Sequence, residues 1–573
     1  MSKDKLQIQK ELLARISELE LEIKKLKDKK YGLIWEDKPE DVVLQCQENI
    51  PILREVKNRK IVSDNSAPNN LLIEGDNYHS LSVLNYTHAG KIDVIYADPP
   101  YNTGATDWKY NNDYVDSQDT FRHSKWISFM EKRLKLAKKL LSNNGIICVT
   151  IDDYELPTLW LLMDSIFGED NHLGTVVIRN NPSGRKTKRK IAQVHEYALF
   201  FGNQDSFIKN LDVEFADKSH KYVQDTDGSW YSPGNLRKQG IDSQAEKGGV
   251  LADRFFPIYY DPKTGRVSSK DKLKVEILPI DPMGEKRIWR RGKDAIDEMY
   301  KNGDLWCQET RNGIQVYYKF RGGVDGEPPK SIWYESEFSA SEHGTRMLNE
   351  ILPKREMFQY PKSLYAIMQS IKIISTDPNS IVLDFFAGSG TTGHAVLELN
   401  KQDGGNRKFI LCTNNENNIC EEVTYERVKR IVKGYTSKKG EKIDGLGGNL
   451  SYYKTDLVNV DKLHKISDEA KIKVTYQAGE MIAVREDTLK ELEKNDWWQI
   501  FEGKDKKTAI YFKEDKTKIK ELISKLEKEK TPAVLYVFGW GKNEYKNEYS
   551  SSLIRVEDIP EPILEVYKEI NRL

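Results

Sequence analysis

Two stretches of this 573-residue chain hold residue types at spacings that could do chemistry. The first is Lys91 to Gly104, KIDVIYADPPYNTG. Its apolar residues Ile92, Val94, Ile95 and Tyr96 make a buried strand, which ends at Asp98-Pro99-Pro100-Tyr101 because the prolines forbid its continuation. A rigid carboxylate beside an aromatic at a strand's C-terminal end stands where open α/β sheets bind ligands. A Pro-rich turn capped by an aspartate would read the same way. The second stretch is SIVLDFFAGSGTTGHAVLELN, with a strand over Ile381 to Leu383, a turn from Asp384 to Gly390 and a helix beginning at Thr391. Glycines at 388 and 390 let a ligand approach the backbone, and the free N–H groups of the helix start can meet a carboxylate or polar edge. No Gly-Lys-Ser/Thr follows, which excludes a phosphate loop, and the GxGxxG spacing of a dinucleotide site is incomplete. After the next strand, Lys408 to Cys412, comes TNNEN; there Glu416 is the acid able to take a ribose diol, with Asn414 and Asn415 competing.

These turns need a sheet to hold them. Leu71 to Ile73 form a strand closed by Glu74-Gly75-Asp76 and followed by a helix, so with the Ile92 strand they make a βαβ unit that puts Asp76 and Asp98 close together at one sheet edge. Phe121 to Leu141 is an amphipathic helix, Gly145 to Ile151 a buried strand, and Leu156 to Phe167, Thr175 to Ile178 and Glu196 to Phe201 continue an α/β rhythm. Between the last two lies a basic loop with Arg185, Lys186, Lys188, Arg189 and Lys190, suited to a phosphate backbone or simply to solvent. From Asp212 to Thr345 the rhythm is lost and basic residues interleave with aromatics. Arg237, Arg287, Arg290, Arg291, Arg311 and Arg321 there could read base edges, or the segment could merely cover the sheet. The α/β pattern resumes at Ser380. Beyond Tyr453, short strands and helices suggest a separate α+β domain without a catalytic constellation, for assembly or partner docking if it has a role beyond bulk.

The length sets roughly three or four domains. Lysine plus arginine equals aspartate plus glutamate at 89 each, so a nucleic-acid partner must meet a local patch rather than a global field. The five cysteines are scattered and never spaced CxxC, which indicates neither a disulfide framework nor a zinc site. The polar N-terminus and the lack of a long apolar run suggest a cytoplasmic protein with no membrane partner. Leu12, Ile16, Leu19, Ile23 and Leu26 form a heptad stripe that fits a short coiled coil or a surface helix.

Taken jointly, Asp98-Pro99-Pro100-Tyr101 and Phe386-Ala387-Gly388-Ser389-Gly390 resemble the DPPY and FxGxG motifs of S-adenosylmethionine-dependent DNA amino-methyltransferases. Their order, catalytic motif first, then recognition region, then cofactor motif, resembles the β class of that family. The stretches WISFMEKRLKLAKKLL, NGIICVTIDD, FGEDN, HEYALFF and FQYPKS extend the likeness over residues 70–205 and 346–430. KYGLIWEDKP and ILCTNNENNICEEVTYERVKRI further resemble the modification subunit of type III restriction-modification systems.

The resemblance implies an α/β, Rossmann-like methyltransferase core split by a target-recognition insertion. The expected parts are an N-terminal helix or coiled coil at 1–35, a catalytic half at 40–205, a target recognition domain at 206–345, a cofactor half at 346–455 and a C-terminal α+β assembly domain at 456–573. It implies adenine-N6 methylation of double-stranded DNA on a base flipped out of the helix. Asp98 and the Pro99 carbonyl would accept hydrogen bonds from the amine, Pro99 and Pro100 would keep both acceptors rigid, and Tyr101 would stack on the base. On the cofactor side the resemblance assigns Phe386, Gly388, Gly390 and Thr391 to the methionine part, Asp384 to the turn or the amino group, Asp76 to the adenine ring, Glu416 to the ribose, and Lys362 beside Pro361 to the methionine end. The basic loop at 185–190 with Arg290 and Arg291 would contact DNA. No metal is called for, a homodimer is expected, and the type III likeness implies a separate ATP-dependent restriction subunit. Cytosine-N4 methylation, an orphan adenine methyltransferase, RNA methylation and a non-catalytic DNA-binding subunit are the alternatives. Family members acting on cytosine usually carry Ser where this chain has Asp98.

Overall fold

The computed structural model describes Ile16 and residues 35–571, except 65–66, 105–108, 111–112, 116–117, 185–190, 212–222, 239–251, 312, 321–326, 353, 355–356, 464 and 542–543. The N-terminal helix expected at 1–35 and the basic loop from Arg185 to Lys190 therefore lie outside the described residues, apart from Ile16 and Trp35. The chain divides into two units, one of residues 1–209 with 330–573 and one of residues 210–329.

The larger unit is built on a ten-stranded sheet. Its strands are β1 (Asn49–Glu55), β2 (Asn69–Glu74), β3 (Ile92–Ala97), β4 (Leu141–Ile151), β5 (His172–Ile178), β6 (Glu196–Phe201), β7 (Ile332–Trp333), β8 (Ile381–Asp384), β9 (Lys408–Thr413) and β10 (Asn449–Asn459). They run in the order β1-β10-β2-β9-β8-β3-β4-β6-β5-β7. Strands β10, β2, β9, β8, β3 and β4 are mutually parallel, while β6 runs antiparallel to both β4 and β5. Central parallel strands are covered on both faces and so read as continuous apolar runs; β9, KFILCT, is buried from Phe409 to Thr413.

The two halves of the chain interleave here. Strand β8 pairs directly with β3, Val382 opposite Val94 and Leu383 opposite Ile95, so the Asp98 turn and the Asp384 turn leave the sheet from adjacent strands. Strands β8 and β9 enter between β2 and β3. The close approach of Asp76 and Asp98 suggested by a local βαβ unit is therefore corrected. Both lie at the C-terminal edge, but three strand spacings, roughly 14 Å, separate their strands.

Helices α1 (Asn77–Thr87), α2 (Arg122–Leu140), α3 (Leu156–Phe167), α4 (Leu364–Ile374), α5 (Thr391–Asp403) and α6 (Tyr425–Lys433) accompany this sheet. In α2 the buried residues Trp126, Ile127, Met130, Arg133, Leu134, Ala137 and Leu140 recur at three- and four-residue intervals, which is why this stretch is a helix with one face on the core. Full burial of a side chain such as Leu134 contributes about 1.5–3 kcal/mol.

Residues 456–573 carry their own five-stranded sheet, β11 (Lys490–Lys494), β12 (Trp498–Glu502), β13 (Lys507–Tyr511), β14 (Ala533–Phe538) and β15 (Ile554–Ile559), in sequential order. One side of this sheet has a core of its own, with Trp498, Leu522, Leu535 and Val556, and other residues of the segment join the main core. Met481, Ile482, Ile563 and Tyr567 share one hydrophobic core with Ile50, Ile52, Leu81 and Tyr86, and Tyr567 donates its hydroxyl to Pro51 O at 2.5 Å.

The smaller unit, 210–329, is narrower than the expected 206–345, because β7 pairs with β5 in the main sheet and draws residues from 330 onward into the larger unit. It has its own core of Leu236, Phe256, Ile258, Val267, Trp289, Ile296, Leu305 and Val316. Its ends meet, Leu211 and Glu327 exchanging antiparallel backbone hydrogen bonds. Arg290 and Arg291 are both exposed there, and Arg290 Nε donates to Asn235 O at 3.1 Å.

Among the described residues no helix is long and apolar enough to cross a membrane, and no group of three or more His, Cys, Asp and Glu side chains could hold a metal ion. All five cysteines are free thiols, and burial pushes those of Cys46 and Cys420 up to about 12.

Candidate active site

Asp98 follows β3 directly, and its carboxylate is fixed from two sides. Thr150, near the end of β4, donates its hydroxyl to Oδ1 at 2.7 Å, and Lys362 Nζ lies 3.1 Å from the same oxygen. The next residues are pinned as firmly. Trp126, fully buried on α2, donates its indole N–H to Pro100 O at 2.7 Å. Asn102 takes φ +55°, a left-handed conformation that Asn tolerates better than most residues, and its amide donates to Glu155 Oε1 at 2.5 Å. Glu155 is itself buried and bonded to His123 and Thr158. The DPPY turn is thus tied to β4 at Asp98 and to α2 at Pro100, and the residue that follows it to the N-cap of α3.

A second carboxylate stands beside the first. Glu196 opens β6, and because β6 runs antiparallel to β4 its first residue arrives at the edge where β3 and β4 end. Its Oε2 accepts from Lys362 Nζ at 2.6 Å, Asn180 Nδ2 at 2.8 Å and the Tyr101 hydroxyl at 3.0 Å. Lys362 also bonds the Tyr101 hydroxyl and lies 4.5 Å from the centre of its ring. Burial works to lower the Lys362 ammonium, but Asp98 and Glu196 outweigh it and hold the group above its ordinary value. Burial, reinforced by the same two carboxylates, raises the Tyr101 phenol well above its usual range, so it stays neutral.

One strand away, the Gly turn is shaped by Asp384. Its Oδ1 accepts from Phe386 N at 2.9 Å and its Oδ2 from Thr392 Oγ1 at 2.5 Å. Burial pushes this carboxyl up to about 7, against the two hydrogen bonds. Gly388 and Gly390 adopt φ +46° and +74°, the left-handed region that glycine occupies without penalty. Gly390 caps α5, so the free N–H groups of Thr391 and its successors open toward the turn. Beneath lies Arg427 of α6, fully buried, donating to Thr391 Oγ1 at 2.7 Å and to Ser389 Oγ and O at 3.2 and 3.3 Å. Burial lowers this guanidinium to about 9. Phe386 packs on Phe385 and Phe129, with ring centres 4.9 and 6.0 Å apart, and Arg133 lies 3.6 Å over the Phe129 ring.

The remaining residues singled out in the sequence sit farther along the same edge. Asp76 is the N-cap of α1, accepting from Tyr78 N at 2.7 Å, and faces Arg133 at 3.4 Å. Arg133 in turn is clamped by Glu40 at 2.7 and 3.0 Å. Glu416 is exposed just beyond β9. Lys362, expected at the cofactor's methionine end, has its ammonium on the Asp98 carboxylate. Thr150, Glu196, Trp126 and Arg427 escaped the sequence reading. The signal that could have found Glu196 is an acid placed as the first residue of a buried strand, where solvation gives no reason for it.

A mostly parallel sheet with a rigid carboxylate turn and a glycine turn on adjacent strand ends defines a Rossmann-like α/β group-transfer enzyme, its ligand crevice at the C-terminal strand edge. The chain belongs to the N6/N4 DNA methylase family, whose model matches residues 92–426, from the first residue of β3 into α6. Among curated relatives it is similar to the type II methyltransferase M.KpnI of Klebsiella pneumoniae, at 34% identity over 389 residues, covering 67% of this chain and 90% of the relative. It is 31% identical to the EcoPI Mod subunit, a type III restriction-modification enzyme of Escherichia phage P1, over 71% of this chain and 67% of that protein. The StyLTI Mod subunit of Salmonella typhimurium is 28% identical over 67% of this chain and 58% of its own length.

Proposed function

We propose that the protein is a site-specific adenine-N6 methyltransferase of double-stranded DNA, acting as the modification and recognition subunit of a type III restriction-modification system. The observation that carries this reading is the direct pairing of β3 with β8, which sets Asp98 beside the Gly turn. The Gly turn fits S-adenosylmethionine. Its two bare Cα positions, the open N–H groups of α5 and the half-buried Phe386 ring offer a close backbone approach, donors for a carboxylate and an apolar wall. Phe386, Gly388, Gly390, Thr391 and Asp384 would hold the cofactor, with Asp76, Glu416 and Lys362 at its periphery. When bound, it supplies an electrophilic methyl group on a sulfonium.

The protein's own residues prepare the acceptor. Adenine must leave the base stack before its exocyclic amine can enter the edge. Asp98 Oδ and Pro99 O accept its two hydrogens, and the Thr150 hydroxyl with the Pro-Pro backbone keeps both acceptors from turning. As the amine becomes positive, these fixed acceptors stabilise it without having to reorganise, which lowers the barrier more than it tightens the ground state. Tyr101, neutral and braced by Glu196, offers a face for the base to stack on.

Sequence recognition falls to the 210–329 unit with Arg290 and Arg291, and phosphate contact to Arg185, Lys186, Lys188, Arg189 and Lys190. The segment from 456 onward serves assembly, the active form is a homodimer in the cytoplasm, and a separate ATP-dependent subunit carries out restriction. Similarity to type III Mod subunits supports the separate restriction subunit. A stand-alone methyltransferase is the second reading, favoured by the match over 90% of M.KpnI. Sequencing genomic DNA with modification-sensitive reads, with and without the protein, should show N6-methyladenine at one recurring motif. N4-methylcytosine or no change would overturn the adenine assignment, and copurification from the native host decides between the type III and stand-alone readings.

A further inference from the structure

Three charged groups share the catalytic turn: the carboxylates of Asp98 and Glu196, and the single ammonium of Lys362 between them. The side chains are 25%, 4% and 12% exposed respectively, so Asp98 can meet a base and Glu196 cannot. Lys362 lies closer to Glu196, at 2.6 Å, than to Asp98, at 3.1 Å, and spends its third donor on Tyr101. Glu196 is held in turn by Asn180 and by the register of β6 against β5, Glu196 opposite Ile178. Two carboxylates and one ammonium leave this edge with a net negative charge.

We propose that Glu196 is a positioning residue that draws Lys362 off Asp98, so that the Asp98 carboxylate keeps a lone pair free for the incoming amine. The proposal rests on the methyltransferase reading of the site. Without the Glu196 charge, Lys362 pairs one-to-one with Asp98, the edge becomes neutral, and the amine has to break a buried ion pair before it can donate. Two charges at this separation attract strongly once water is excluded. The loss falls on the step in which the amine becomes positive rather than on cofactor binding.

The test compares wild type, Glu196→Gln, Lys362→Met and the double variant in single-turnover methyl transfer to duplex DNA at saturating S-adenosylmethionine. Glu196→Gln is expected to lower the rate by about 100-fold, or about 2.7 kcal/mol, with KM for DNA within about 3-fold. Removing the cation as well should restore at least about tenfold of that loss, because Asp98 is then released. A merely structural Glu196 would give the opposite, the double variant being as slow as Glu196→Gln or slower. That result, or a Glu196→Gln rate equal to wild type, overturns the proposal. Should Glu196→Gln fail to fold by circular dichroism, Glu196→Asp replaces it. Asp retains the charge but withdraws it by one methylene, so a smaller loss that Lys362→Met again reverses is expected, and absence of reversal refutes. If wild type itself transfers no methyl group to DNA, it is the reading of the site that has failed, and this outcome is distinct from the others.

Discussion

Asp384 should make the stability of the ligand-free protein fall as pH rises through neutrality, and replacing it with asparagine should remove that dependence. Its carboxyl is buried and shifted from an ordinary 3.8 to about 7, chiefly by loss of hydration. Between those values the native state keeps a proton that the unfolded chain has released. The contribution is therefore fully present below pH 3.8 and is lost as pH climbs through about 7. Integrated from pH 5 to pH 8, the loss is about 2.5 kcal/mol. The asparagine side chain is neutral throughout; its Oδ1 can still accept from Phe386 N, and its Nδ2 can donate to the Thr392 hydroxyl, the reverse of the present direction. The assay is thermal unfolding of wild type and Asp384→Asn across about pH 5 to 8 without cofactor, since a ligand that binds only the native state would mask the effect. Every other titrating group is common to both proteins and cancels in the difference. Wild type should lose on the order of 3 °C in Tm relative to the variant over that range. Parallel profiles would refute the buried, protonated carboxyl and the account of the Gly turn built on it.

Asp98→Ala should abolish methyl transfer while S-adenosylmethionine still binds by titration calorimetry; measurable transfer would remove Asp98 from the chemistry. Gly388→Ala places a side chain at φ +46° with its Cβ 2.9 Å from Phe358 Cζ. With about 1–2 kcal/mol of left-handed strain, cofactor affinity should weaken about tenfold, and unchanged affinity would exclude the turn from the cofactor site. Excision of residues 210–329 with a short linker should eliminate sequence-specific DNA binding in a gel-shift assay and leave cofactor binding intact, because that unit has its own core and its ends meet. Specific binding that survives excision would move recognition elsewhere.

Local patterns made much of this site legible. The β3 strand, its Pro-Pro stop and the glycine turn after β8 follow from apolar runs and backbone restrictions that act within a few residues. Pairing between distant strands leaves no such local trace. Nothing near Asp76 announces that β8 and β9, some three hundred residues later, will lie between its strand and β3. Glu196 was hidden for a related reason: a strand's direction in the sheet decides which of its ends meets the site, and the HEYALFF pattern is the same whichever way it runs. Residues 456–573 read as a separate α+β domain from their short strands and helices, and they do hold a core of their own around Trp498, Leu522, Leu535 and Val556. The apolar face shared with α1 and β1 is visible only once both are in place.

The antiparallel pairing of β1 with β10 has a temporal consequence. Asn49 lies opposite Asn459 and Glu55 opposite Tyr453, and Pro51 receives the hydroxyl of Tyr567. At about 5–20 residues per second, a ribosome takes roughly half a minute to two minutes to travel from Pro51 to Tyr567. Until β10 has been made, some four-fifths of the way through that interval, the nascent β1 has no partner strand, and β2 and β3 wait for the pair that will separate them. Contacts of such long sequence range form slowly and leave sheet edges open to wrong partners. The catalytic edge, whose two turns leave β3 and β8, thus cannot assemble until β8 has been synthesised, long after its first half.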